Sequence, residues 1–294
     1  MSNIKHEDDF IDKLTNAIIF NQIEEIKTII SNYPNIENVN INKPNKTGFT
    51  ALMMAAQRQN TEIIQTLLTS TIKDKSDINQ KNGSTGSTAF MLAVLNKNFE
   101  VMQCLCDTFK DTIDINQQNE DGNTALMIAI KFNTNVEVIQ YLCDKFKDAI
   151  DINKQDKDGY TVLMLAALNN TNIKIMHEIY NSFKNKINIS EHLLFAIKKS
   201  DVTILKVLYT LFENAIGINT IFMLDAQNGT DIEVLKNKYN MFKDTIDINK
   251  QNKDGNTAFM LAAQNTNVKV IEHLYYTFKN TNIAIDILQK QNKD

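Results

Sequence analysis

Cys104 and Cys106 stand two residues apart and Cys143 follows further along, a grouping that could hold a soft metal ion or cycle between thiol and disulfide. Neither chemistry fits the spacing. Two residues apart on a helix, Cys104 and Cys106 point to different faces. Cys106 and Cys143 occupy equivalent places in successive units, roughly 10 Å apart, a helix-packing distance, and too far for a disulfide. The four histidines, His6, His177, His192 and His273, are scattered over different units. Gly83-Ser84-Thr85-Gly86-Ser87-Thr88 looks like a phosphate-cradling loop, but no lysine follows in the required register. Tyr180, Tyr209, Tyr239 and Tyr275 continue the cysteine column and read as rings packed between neighbours with hydroxyls reaching water. No nucleophile with an activating neighbour and no acid–base pair can be named. The expectation is a chain without catalysis, cofactor or metal.

The elements that position these residues come from repetition. A turn glycine, a threonine, a methionine and a helix-packing alanine recur as Gly48-Phe49-Thr50-Ala51-Leu52-Met53-Met54-Ala55-Ala56 and Gly86-Ser87-Thr88-Ala89-Phe90-Met91-Leu92-Ala93. The phrase returns at Gly122–Ala129, Gly159–Ala167 and Gly255–Ala263. Each glycine closes a polar turn, and each threonine is placed to cap a short helix. An Asn-rich break follows, then a second helix with an inward stripe such as Ile175, Met176, Ile179 and Phe183. The first alanine of each unit forms a column: Ala17, Ala55, Ala93, Ala129, Ala166, Ala196 and Ala262, with Asp225 standing in between the last two. Small side chains there let helix axes approach closely. Phe109, Phe146, Phe183, Phe212, Phe242 and Phe278 form a second column, most of them followed by a lysine suited to a helix C-terminus. A period of this length is the mark of a solenoid of stacked helix pairs.

Bulk composition is consistent with a folded stack. Of 294 residues, 43% are hydrophobic and 22% charged, and the net charge of −4 offers no global field for nucleic acid or anionic lipid. The acidic start, Met1–Asp9, has no apolar core and is no secretory signal. No apolar run reaches membrane-spanning length. Three cysteines fit a reducing compartment, so a cytoplasmic monomer is expected.

A finger ending in Asp-Gly, a Thr-x-x-x-x-Ala-Ala helix, an Asn/Gly break, a Val-x-Ile-x-x-Leu helix and a returning Asp-Ile-Asn together resemble the ankyrin repeat family, over nearly the whole chain. The resemblance implies an all-α, ankyrin-type solenoid of helix-turn-helix units with short β-hairpin fingers, two of the units lacking fingers. It also implies a protein-interaction scaffold that binds a protein or peptide on its concave finger/helix-one face. Three departures from the family pattern stand out. The usual Thr-Pro-Leu-His is Thr-Ala-Leu/Phe-Met, which predicts thioether packing in place of histidine hydrogen bonds. The unit is longer than the family's, and no glycine ends helix two. Helix two is therefore expected to run roughly one extra turn.

By domain, residues 1–11 are expected to be a flexible N-terminus and 12–33 a capping helix pair with Asp12 at the cap. Residues 34–285 form the array of seven units, degenerate at about 190–245, and 286–294 open a further, truncated finger. In the degenerate stretch fingers are missing, and Asp225 and Lys238 stand at packing positions. Repeat decay and a hinge between 190 and 245 both account for this. Two alternatives for the whole also stay open: the ankyrin region of a larger enzyme or channel continuing beyond Asp294, and a host-directed ankyrin effector.

Partner choice should lie where the repeat makes no demand: the residue after each glycine (Phe49, Ser87, Asn123, Tyr160, Asn256) and the end of helix one. Phe49, Leu95, Phe132, Tyr160 and Leu168 are expected to form an apolar strip, with Arg58 and Lys131 beside it and Asn123 on its finger. Aromatic and arginine residues in such a strip are typical binding anchors.

Overall fold

In a computed structural model the described residues are 2–33, 39–58, 60–68, 70–95, 99–132, 135–168, 173–188, 192, 219, 222–223, 226–227, 236, 239–240, 247–252, 254–264 and 268–278. The chain divides into two compact units, Met1–Ile187 and Asn188–Asp294. Among the described residues there is helix and turn and no strand. In the first unit the helices are α1 (Ser2–Ile19), α2 (Ile23–Asn32), α3 (Ala51–Ala56), α4 (Thr61–Leu67), α5 (Ser70–Lys73), α6 (Ala89–Leu95), α7 (Phe99–Phe109), α8 (Ala125–Lys131), α9 (Val136–Lys145), α10 (Val162–Leu168) and α11 (Ile173–Phe183). In the second they are α12 (Ala258–Ala263) and α13 (Val268–Phe278).

The fingers are single turns, and that of Asn119 is closed by a backbone pair: Asn119 N–H donates to the Asn123 carbonyl at 3.0 Å, and Gly122 N–H to the Asn119 carbonyl at 3.0 Å. The Asn119 side chain completes it by accepting the N–H groups of Asp121 and Asn123 at 3.0 and 2.8 Å. A single turn is thus enough where a hairpin was expected, because this side chain does the work of a ladder. Gly122 sits at φ +77°, in the left-handed region. A β-carbon there would come within 2.7 Å of the Lys157 backbone nitrogen on the next finger, so both conformation and close approach require glycine.

The threonines cap helix one as expected. Thr50, Thr88, Thr124, Thr161 and Thr257 each accept, through Oγ1, the N–H of the methionine three residues on, at 3.2 to 3.5 Å. The methionines do more than pack. Met53 and Met127 are buried, and their sulfurs accept the N–H of Thr50 and Thr124 at 3.4 Å, closing a reciprocal cap in which a thioether takes the usual glutamate's place.

Stacking follows from the small residues. α3 packs on α1 and α6, and α8 on α6 and α10, with Ala55, Ala93, Ala129 and Ala166 all buried. Fingers join edge to edge: Glu120 N–H donates to the Thr85 carbonyl at 2.9 Å and Lys157 N–H to the Asp121 carbonyl at 3.0 Å. The Asp-Ile-Asn segments add a second seam. The Ile is buried at positions 78, 115 and 152. The Asn reaches into the next unit: Asn79 Nδ2 donates to the Thr112 carbonyl at 2.6 Å while its Oδ1 accepts Asp114 N–H at 2.8 Å. Asn116 repeats this with Ala149 and Asp151, both at 2.7 Å.

Helix two ends at the phenylalanine column. Phe109, Phe146 and Phe183 are buried, and the extra residues form a 3-10 turn at Lys110–Thr112 rather than a further α turn. The N-terminus needs correcting: α1 starts at Ser2, so residues 2–11 are helix and Asp12 lies inside it. Phe10 and Ile11 are the reason, since both are buried and Phe10 packs at a tilt against Tyr33 with ring centroids 4.3 Å apart. Asp12 instead pairs with Lys46 at 2.6 Å.

In the second unit, Phe222, Met223, Ala226, Ile248, Ala258, Leu261, Ala262, Val270 and Leu274 form one apolar core. Asn219 Oδ1 accepts Asp247 N–H at 2.7 Å, so the Asn seam persists where the finger is missing from the sequence. Ala196, Asp225 and Lys238, most of the stretch read as decay or hinge, and the segment 286–294 lie outside the described residues.

Candidate functional site

The position after each finger glycine is held more tightly than the sequence suggested. Its backbone N–H donates to the finger's own Asn or Asp side chain in Phe49, Ser87, Asn123, Tyr160 and Asn256. Ser87 and Asn123 are buried, at 6% and 4% exposure. Phe49, Tyr160 and Asn256 are half-buried. Asn123 therefore offers no free surface to a partner, because the stacked neighbouring fingers close over it.

The end of helix one is open. Phe132 is 65% exposed and Leu95 41%, while Leu168 is half-buried. Phe132 is the C-cap of α8, its N–H bonded back to the Ile128 carbonyl at 3.1 Å, so the ring is carried on a fixed backbone. Phe20, outside the expected strip, is 71% exposed. It stands three residues after Ala17 as Phe132 stands three after Ala129, and that shared register was the available signal.

The two expected cations are committed within the fold. Arg58 Nη1 donates to the Ile19 carbonyl at 3.2 Å, at the C-terminal end of α1 where positive charge is favoured. Lys131 Nζ pairs with Asp156 at 2.9 Å. Asp156 is buried, and it replaces the asparagine of other fingers (Asn45, Asn119, Asn252). The pair thus ties the end of α8 to the next finger.

The thiols are shielded. Burial pushes Cys106 up to about 12, partly offset by its hydrogen bond with Tyr141. Burial pushes Cys143 to about 12 as well, with the Glu178 and Asp144 carboxylates adding to it. Cys104 is also raised, by burial first. Protonated thiols are poor nucleophiles and poor ligands, which removes the support for a redox or metal reading. Among the described residues no three His, Cys, Asp or Glu side chains are grouped to hold a metal ion. An open cleft of about 480 Å³ is lined by Lys147, His177, Glu178, Asn181 and Ser182, with Glu178 already accepting from Gln140 at 2.7 Å. No helix among the described residues is long and apolar enough to cross a membrane.

A family model described as ankyrin repeats (3 copies) matches residues 14–119, 71–156 and 107–192, together more than half of the chain. No curated protein matches the sequence.

Proposed function

The chain belongs to the ankyrin repeat family, and from that premise we propose that it is a non-catalytic module that holds a segment of another protein against its finger and helix-one side. The observation that carries this reading is the exposure of Phe132 and Leu95 at the ends of helix one in α8 and α6, whose other apolar residues are buried. Such side chains contribute nothing to stacking and supply the apolar anchors a partner needs. Phe49, Tyr160 and Leu168 on the same finger and helix-one side are half-buried, while Arg58 and Lys131 are held by the fold. Free cysteines support residence in the reducing cytoplasm, and the net charge of −4 speaks against nucleic acid as the partner.

The test is affinity capture from cell extract with the full chain as bait, compared with a Leu95→Ala, Phe132→Ala variant. Both sites are exposed, so the variant folds. Loss of a captured protein supports the reading, whereas an unchanged set of partners refutes the assignment of these residues.

A further inference from the structure

Where helix one gives way to helix two stand the exposed large apolar side chains of the first unit's described residues: Phe20 at 71%, Phe132 at 65%, Leu95 at 41% and Val136 at 38%. The ends of helix one lie in stacking order, since α3 packs on α1 and α6, and α8 on α6. At the first two of them Asn60 Nδ2 donates to Asn21 Oδ1 at 2.9 Å and Arg58 reaches the Ile19 carbonyl. Stacked helices lie about 8–10 Å apart, which puts Phe20 and Phe132, three units apart, at roughly 30 Å. That is the span of about nine extended residues.

Charge runs alongside the apolar row. Each helix two that leaves it opens with an exposed glutamate as its second residue: Glu24 in α2, Glu62 in α4, Glu100 in α7 and Glu137 in α9. Lysines stand at that place further on, Lys174 in α11 and Lys269 in α13. The glutamates favour their own helix N-termini, and all four side chains are exposed, with Glu137 also accepting from Asn135 Nδ2 at 3.1 Å. The cations nearby are engaged: Lys27 with Glu24 at 2.7 Å, Lys131 with Asp156, and Arg58 with Ile19.

We infer that the row of Phe20, Leu95, Phe132 and Val136 docks a basic, apolar segment of another protein, with Phe20, Leu95 and Phe132 taking its apolar side chains and the glutamates its Lys and Arg. The inference rests on the reading of the chain as a protein-binding module and names the chemistry of the partner. An apolar strip flanked by one sign of charge selects against acidic segments as well as for basic ones.

The experiment selects random peptides of about twelve residues, displayed on phage, against the full chain, and measures each winner by fluorescence anisotropy. The expected winners combine Lys or Arg with apolar residues. Their affinity falls about tenfold or more in a Phe20→Ala, Phe132→Ala variant. It falls about tenfold in a Glu62→Gln, Glu100→Gln, Glu137→Gln variant and weakens as salt is raised. All five substitutions are at exposed sites, and circular dichroism checks that the fold is kept. Winners without basic residues, or basic winners indifferent to both variants, overturn the row while leaving a protein-binding module in place. A selection that yields no binder overturns both. Self-association of the chain that is lost in the Phe20→Ala, Phe132→Ala variant assigns the row to a second copy and also overturns the inference.

Discussion

The segment Gly122–Lys131 and the segment Gly255–Ala263 say nearly the same thing in sequence and meet different surroundings. Locally they match. The glycines have φ +77° and +78°, and Met127 and Met260 both donate their N–H to the capping threonine at 3.3 Å. The packing is where they part. Met127 is fully buried and Met260 is 41% exposed, while Ile130 is buried and its counterpart Ala263 exposed. α8 lies between α6 and α10, whereas α12 packs against α13 and shares a core with Phe222, Met223 and Ala226, and Met260 and Ala263 are exposed. The turn and the cap are properties of a few adjacent residues. Burial belongs to the neighbour, and it comes only with the next repeat.

The largest difference should appear at the glycines. A β-carbon at Gly122 meets the Lys157 nitrogen at 2.7 Å and the Asp156 carbonyl carbon at 2.9 Å, while at Gly255 nothing among the described residues lies within 4 Å. Gly122→Ala should cost about 4 kcal/mol, the sum of left-handed strain and a clash with backbone, and Gly255→Ala about 1 kcal/mol from strain alone. Urea unfolding of both variants checks this, and equal losses would show that conformation rather than close approach sets the cost. Next come the methionines. Met127→Ala removes a fully buried side chain and should cost about 3 kcal/mol, against less than about 1 kcal/mol for Met260→Ala. Amide exchange at Thr124 sharpens the point, because its N–H is held by the Met127 sulfur and should exchange faster once that sulfur is gone.

The thiols sharpen the comparison in a different way, since all three cysteines lie within residues 1–187. Cys106 and Cys143 are held at about 12 when folded, above the value of about 8.5 for a free thiol. A raised folded value means that the stabilising difference is complete below the unfolded value and is lost as pH rises toward the folded one. Stability should thus fall between about pH 8.5 and 12, by about 1.4 kcal/mol per pH unit for each thiol. At pH 10.5 the loss is about 3 kcal/mol per thiol, read from urea midpoints at pH 7 and 10.5. A Cys106→Ala, Cys143→Ala variant should lose that slope, and a slope that survives would place the alkaline weakness elsewhere.

Much of this architecture was legible because the repeat states it several times. The glycine, the threonine and the alanine each answer a local demand, so the turns, the caps and the alanine column followed from residue type and spacing. What escaped depended on contacts between units. Asn123 reads as a free fingertip side chain, yet the stacked fingers bury it. The Asp-Ile-Asn segment showed its buried Ile, but not that the Asn side chain bridges to the next unit, because both of its partners are backbone groups without a sequence signature. The Lys131–Asp156 pair left a visible trace, an Asp in place of the usual finger Asn, whose meaning needed the distance between them. Phe20 was missed because the first helix pair lacks the finger that sets the register elsewhere. The helix reaching back to Ser2 was hidden in an acidic stretch whose Phe10 and Ile11 looked like isolated apolar residues.

The smallest expected effect tests an Asn bridge that both regions share. Asn116 donates to the Ala149 carbonyl and accepts from Asp151 N–H, both at 2.7 Å, while Asn219 accepts from Asp247 N–H at the same distance. These groups are near solvent, where water competes for each partner, so a hydrogen bond contributes little net stability. Asn116→Ala should cost about 1 kcal/mol, and Asn219→Ala no more than that. Amide exchange reads the effect where it occurs: Asp151 N–H should lose protection in the first variant and Asp247 N–H in the second, with little change at the caps of Thr124 and Thr257. If Asn219→Ala proves the costlier, the Asn bridge carries more of the stacking where a finger is missing. If both are equally mild, the apolar core of the second unit holds α12 without help from the seam, and fingers and bridges act as separate, additive connections.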